Sequence, residues 1–144
     1  SPEGGVYQAG TLSGNPIAMA AGLAQLKILH ENREIYEKIN ALAKRLEEGF
    51  NSMAEELELP IWVNRVGSLI SVFFTKEKVD NFEKAKLSDT KLYAKYFNAM
   101  LKEGIYLAPS QFEAMFINYD HTEEDLDRTL KSAKKVLSEL NNKV

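Results

Sequence analysis

Ile61-Trp62-Val63-Asn64-Arg65-Val66-Gly67-Ser68-Leu69-Ile70-Ser71-Val72-Phe73-Phe74-Thr75 is the stretch on which the fold turns. Branched and aromatic residues dominate it, and these side chains suit a pleated, half-buried surface. Gly67-Ser68 divides the run, so residues 61–66 and 69–75 read as two short strands around a turn. Pro60 closes off whatever precedes them.

Two strands cannot stand alone in water, so the flanking sequence must supply a cover. Upstream, Ile35, Ile39, Leu42, Leu46, Phe50, Met53 and Leu57 recur at three- and four-residue steps. That spacing predicts one helix over residues 33–57 with a single apolar stripe, packed along a sheet. Its charged residues lie mostly off the stripe and read as a solvated face. An earlier helix is expected over 16–30. It is apolar nearly all round until Gln25 and Lys27, which predicts burial on more than one side and a partner that this length of chain hardly supplies.

Downstream, residues 76–86 are charged and read as a loop. A helix is expected over 90–103, with Ser88 or Asp89 as its cap and Gly104 as its stop. Tyr93, Tyr96, Phe97 and Met100 form its apolar face, which at helical spacing reads as core. Short strands are expected at 105–107 and 114–118, with a turn around Pro109 between them. Thr122 then caps a last helix that has Glu123, Glu124 and Asp125 in its first turn, where negative charge suits the dipole. The fold class is α+β: a small, mostly antiparallel sheet with helices on one face.

Length and composition fit this reading. The chain has 144 residues, 44% hydrophobic and 27% charged, which is ordinary for one globular domain with a core. A net charge of -3 leaves no electrostatic footprint for nucleic acid or an anionic membrane. No cysteine is present, which excludes thiolate catalysis, disulfides and zinc–cysteine sites. The longest apolar run, residues 17–24, falls short of the roughly 20 residues of a membrane span. His30 and His121 lack acidic ligand spacing, so no metal site is expected. The chain begins at Ser1 without Met, which suggests a fragment or a processed product.

The candidate site lies near the start. Gly10-Thr11-Leu12-Ser13-Gly14-Asn15-Pro16 is a loop that turns into a helix. Glycines let a ligand approach the main chain, two hydroxyls add donors, and Asn15 and Pro16 suit a helix start. Loop amides, hydroxyls and the positive end of a helix suit an anion. The same residues also read as nothing more than a capped helix after a turn, and the stretch is not a GxxxxGK[ST] phosphate loop.

Several stretches together resemble one family. Residues 7–16, Tyr-Gln-Ala-Gly-Thr-Leu-Ser-Gly-Asn-Pro, are similar to a signature of the glutamate-1-semialdehyde 2,1-aminomutases. So is Gly-Ile-Tyr-Leu-Ala-Pro-Ser-Gln-Phe-Glu-Ala-Met-Phe at 104–116, the more specific of the two. His121-Thr122-Glu123-Glu124-Asp125, Val66-Gly67-Ser68, Phe73-Phe74-Thr75 and Ser88-Asp89 fit between and beyond, in order. The opening motif is shared more loosely with other class III aminotransferases.

The resemblance implies a pyridoxal 5'-phosphate enzyme of fold type I. It implies a cytoplasmic homodimer with a shared active site, acting on a small molecule rather than on nucleic acid or a membrane. The implied reaction converts glutamate-1-semialdehyde to 5-aminolevulinate, a tetrapyrrole precursor. Residues 1–31 would be a lead with the phosphate loop and a connecting helix, and 32–144 the C-terminal small α+β domain. The large domain, with the Schiff-base lysine, is expected upstream. No catalytic residue is then expected in this chain, which alone would be inactive. Its lysines sit among other charges, as surface lysines do. The lead, residues 1–14, is expected to be rearranged or poorly ordered without that domain.

Carried over by position, Gly10 and Thr11 resemble the cofactor-binding pair that reaches the phosphate across the dimer. Glu113 resembles an acidic side chain near the active site, with a half-exposed strand-edge glutamate as the plainer reading. Tyr7 and Gln8 are candidates for the substrate entrance. Two other functions fit the sequence: a class III omega-aminotransferase, against which Phe112-Glu113-Ala114 argues, and a non-catalytic binding or dimerisation module.

Overall fold

The computed structural model describes residues 3–7 and 9–142. The chain falls into two compact units, residues 1–35 and 36–144.

The first unit is a loop and a helix, α1 (Pro16–Glu31). Asn15 caps α1: its Oδ1 accepts from the N–H groups of Ile17 at 3.0 Å and Ala18 at 3.1 Å. Pro16 has no N–H to satisfy, so it costs nothing at the first helical position. The helix ends at Asn32, whose backbone N–H and Nδ2 both donate to the Ile28 carbonyl. No residue of α1 is buried, contrary to the expectation of burial on more than one side. The reason is local: among its described residues the first unit holds, as regular structure besides α1, only the first two residues of α2.

The second unit contains the rest of α2 (Glu34–Glu56) and all later elements. Leu42, Ala43, Leu46, Phe50 and Met53 of α2 are buried, as the stripe requires. Past its end Glu58 takes a left-handed φ of 52°, a strained position for a side-chain-bearing residue. There Leu59 N–H returns to the Ala54 carbonyl at 2.9 Å. β1 (Ile61–Val66) and β2 (Leu69–Phe74) pair antiparallel, with Val66 opposite Leu69. Gly67 supplies the turn with a φ of 59°. Arg65 ties the turn to α2, with Nε on the Glu47 carboxylate at 2.6 Å and Nη1 on the Gly67 carbonyl.

β2 is the centre of the sheet, in the order β1-β2-β3. Its Ile70, Val72 and Phe74 enter the main core with α2 and the later helices. Phe73, on the opposite face, forms a small second core with Val79 and Ala85. A short helix, α3 (Phe82–Ala85), interrupts the expected 76–86 loop, capped by Asn81 Oδ1 on Lys84 N–H. Next come α4 (Thr90–Lys102), capped by Asp89, and α5 (Glu123–Asn141), capped by Thr122 and Asp125 in a reciprocal box. Tyr93, Tyr96 and Met100 of α4 are core, as the aromatic stripe predicts. Leu126, Ala133, Val136 and Leu137 of α5 are buried as well. The α+β class and the antiparallel sheet agree with the sequence reading.

Two of the expected strands do not form as drawn. Residues 105–107 are irregular. Leu107 is buried and Tyr106 exposed, but the following carbonyl, Ala108, is satisfied by the Tyr93 side chain instead of a neighbouring strand. The expected 114–118 strand shrinks to β3 (Met115–Phe116). Leu69 faces Phe116, and Ile117 N–H donates to Ser68, so past Phe116 the chain lies against the turn and no longer against β2. Among the described residues no helix is long and apolar enough to cross a membrane.

Candidate functional site

The glycine-rich loop of the first unit is built from consecutive turns. Ser13 N–H donates to the Gly10 carbonyl and Asn15 N–H to the Leu12 carbonyl, both at 3.0 Å. Gly14 follows with a φ of 76°. A Cβ at Gly10 would lie 2.8 Å from Ser13 Oγ, the end of a side chain that can rotate aside. Thr11 sits at the exposed corner of this turn, adjoining Gly10. Its hydroxyl and its N–H make none of the hydrogen bonds among the described residues and are available as donors.

The helix N-terminus contributes less than the sequence reading supposed. Asn15 already occupies the Ile17 and Ala18 donors, and Pro16 has none. An anion at this loop would therefore rest on Thr11 and its neighbouring amides more than on the open end of α1. Tyr7, three residues before Gly10, is 79% exposed. Gln8 lies outside the described residues.

Glu113 belongs to the second unit. It lines an open groove of about 630 Å³ that also takes in Tyr106, Met115, His121, Asp125 and Thr129. The groove floor is apolar, with Leu46, Leu107, Ile117 and Leu126, while its acids and His121 are polar features on it. Glu113 is held by a turn in which its N–H donates to the Ser110 carbonyl at 3.1 Å. The structure thus brings Gly10 and Thr11 together in one turn and places Glu113 in a different unit.

Electrostatics mark the same region. Burial pushes the Tyr93 phenol up from its ordinary value, and the Glu113 charge raises it further. Deeper in α4, Tyr96 is pushed up mainly by burial and then by Tyr93. The Thr122 hydroxyl and backbone hold the Asp125 carboxyl below the usual range against desolvation, and His121 and Arg128 add less. His121 Nδ1 accepts from Asn118 N–H at 3.1 Å, which leaves any ring proton on Nε2.

None of the lysines among the described residues is buried. Lys44, Lys84, Lys86, Lys134 and Lys135 each pair with a glutamate or aspartate. A nucleophilic lysine needs a shielded pocket that lowers its pKa, and no described lysine occupies one.

Sequence reasoning missed the residues behind Glu113. Tyr93 and Gln111 both read as ordinary: one a member of an aromatic stripe, the other a polar residue in a turn. Gln111 proves to be 3% exposed, with both amide atoms unpartnered among the described residues. No local pattern announces that.

The sequence profile described as Aminotransferase class-III matches residues 2–137. The chain is 59% identical over 139 residues to the glutamate-1-semialdehyde 2,1-aminomutase of Ruminiclostridium cellulolyticum, covering 96% of this chain and 32% of that protein. It thus spans about a third of the length of such relatives. Among solved structures, a glutamate-1-semialdehyde aminomutase from Pseudomonas aeruginosa in complex with PMP is 25% identical. It superposes with a TM-score of 0.68 over 74% of this chain and 24% of that one. An omega-transaminase from Sphaerobacter thermophilus, 19% identical, shares the fold with a TM-score of 0.80 over 92% of this chain and 30% of its own. The chain belongs to the class-III aminotransferase family.

Proposed function

We propose that this chain is part of a pyridoxal 5'-phosphate-dependent aminomutase that converts glutamate-1-semialdehyde to 5-aminolevulinate as a cytoplasmic homodimer. The observation that carries the reading is the 59% identity, across nearly the whole chain, to a protein named for that reaction. Residues 1–31 form the phosphate-loop lead and residues 32–144 the small domain. The reactive lysine lies in sequence outside this chain, consistent with the exposed and ion-paired lysines within it.

The loop residues suit the cofactor's phosphate. An exposed Thr11 hydroxyl and N–H, beside Gly10, offer neutral donors to a dianion without a competing partner. When bound, the cofactor supplies the carbonyl and electron sink that let an amino group leave one carbon and return to its neighbour. What this chain contributes is binding and placement. Thr11 Oγ1 and its backbone N–H hold the phosphate of the partner subunit's cofactor. The Glu113 carboxylate, exposed on its groove, accepts hydrogen bonds from the ammonium end of the substrate. Tyr7 and Gln8 border the entrance.

The test uses the full-length enzyme. Thr11→Val should weaken pyridoxal phosphate binding, measured by equilibrium dialysis, by about tenfold to a hundredfold, the worth of one hydrogen bond to a charged group. Glutamate-1-semialdehyde should yield 5-aminolevulinate with no external amino donor. Keto acid released from an external donor, with no 5-aminolevulinate, would make the protein an omega-aminotransferase instead. Unchanged cofactor affinity in Thr11→Val would remove the phosphate role from the Thr11 hydroxyl.

A further inference from the structure

We propose that Tyr93 is the positioning residue for Glu113, acting through the Ala108 carbonyl. The inference rests on the reading of Glu113 as a substrate-site residue and deepens it.

Tyr93 lies in the first turns of α4 and is 7% exposed. Its ring is fixed by its neighbours: the Phe74 ring is 6.3 Å away edge-on, and the Tyr96 ring 6.4 Å away. A ring held so points its hydroxyl in one direction, and Oη donates to the Ala108 carbonyl at 2.6 Å. Ala108 opens the segment that ends in Glu113. Inside that segment the bonds are short-range only. Phe112 N–H donates to Ser110 Oγ at 3.2 Å and Glu113 N–H to the Ser110 carbonyl at 3.1 Å. Among the described residues, Tyr93 therefore supplies the one hydrogen bond that ties residues 108–113 to the rest of the unit.

Gln111 makes that tie matter. Its side chain is buried in the middle of the segment, and neither Nε2 nor Oε1 has a partner among the described residues. Opening of the segment would draw this side chain out of its buried site. The Tyr93 bond opposes that opening from one end, and the Phe112 ring, 6.0 Å from Phe82, helps near the other. Burial first, and then the Glu113 charge, raise the Tyr93 phenol above its ordinary value, so Oη stays protonated as the donor.

The experiment is a double-mutant cycle on the full-length holoenzyme, with kcat and KM expressed per cofactor-loaded site. Tyr93→Phe keeps the ring and removes only Oη. Glu113→Gln is expected to impair the reaction. Tyr93→Phe should shift the same kinetic parameter in the same direction by roughly three- to tenfold, the range of one neutral hydrogen bond. In the Glu113→Gln background it should have no further effect. A Tyr93→Phe loss that persists undiminished in that background would overturn the proposal, since the tyrosine would then act elsewhere. So would wild-type kinetics in Tyr93→Phe.

Hydrogen exchange of the peptide spanning 108–113 separates the two ideas. Faster exchange there in Tyr93→Phe, with Glu113→Gln kinetically silent, upholds the brace and sinks the reading of Glu113. Impaired Glu113→Gln with unchanged exchange and kinetics in Tyr93→Phe does the reverse.

Discussion

α1 and α2 are both long helices, and they meet opposite fates. α1 is the more apolar of the two, yet none of its residues is buried: Ile17 is 81% exposed, Leu23 70% and Leu26 66%. α2 is studded with charge, yet five of its residues lie in the core. Apolar content does not decide burial. A narrow stripe at helical spacing needs one facing surface, and the second unit provides it. A helix apolar on all sides needs cover on all sides, which a lone helix and loop lack.

The largest test of this contrast is truncation of one buried and one exposed side chain. Phe50 is 1% exposed in the core cluster, so Phe50→Ala should destabilise the 144-residue chain by about 3–5 kcal/mol in urea unfolding. Leu23→Ala should cost less than about 0.5 kcal/mol in the same chain, as surface changes do. In the full-length enzyme the Leu23 change should cost several times more if α1 is covered there. Equal costs of Leu23→Ala in both would break the comparison.

Two glycines sharpen it at smaller scale, with opposite signs. A Cβ on Gly49 of α2 would lie 2.5 Å from Leu130 Cδ2, so Gly49→Ala forces the Leu130 side chain aside. Overpacking of that kind costs about 1–3 kcal/mol, offset in part by alanine's better helix propensity. Thermal unfolding should show a net loss. Gly22 of α1 has nothing within 4 Å of the same ideal position. Gly22→Ala should therefore gain up to about 1 kcal/mol of helix stability, read as helicity by circular dichroism.

The same contrast governs what the sequence made legible. The hairpin could be read because strand formers flank a glycine that the turn does need. The stripe of α2 could be read because it repeats with the helix and faces its own unit. The 105–107 segment misled because Ile105-Tyr106-Leu107 has strand composition. What settles its conformation is a hydroxyl fifteen residues earlier on Ala108. The helix at 82–85 hid in a charged stretch, although Asn81 was there to cap it. At the site, the loop around Thr11 could be read from its residues as a place for an anion, while the phosphate role of Thr11 and the candidacy of Glu113 came from resemblance to a family. The groove around Glu113, and the buried amide of Gln111 behind it, depend on tertiary packing that no local pattern encodes.

The smallest expected effect contrasts how the two units cap their helices. Asn15 caps α1 with a carboxamide, which does not titrate. α5 depends on Asp125, whose Oδ2 accepts from Thr122 Oγ1 at 2.7 Å and Thr122 N–H at 2.9 Å. Those bonds favour the charged form and hold its carboxyl below the ordinary 3.8. A folded value depressed below the unfolded one gives stability that is complete above the unfolded value and is lost as pH falls through the folded one. The box is exposed, so its share of total stability is small. Asp125→Asn should lower the melting temperature of the second unit slightly at pH 6. The gap to wild type should close as pH falls below 3.8. Asn15→Ala should reduce the helicity of α1 by the same amount at every pH in that range, because the lost cap carries no charge. A constant Asp125→Asn gap down to pH 3 would mean that the box stabilises α5 by geometry alone, and the two caps would then differ in residue type but not in kind.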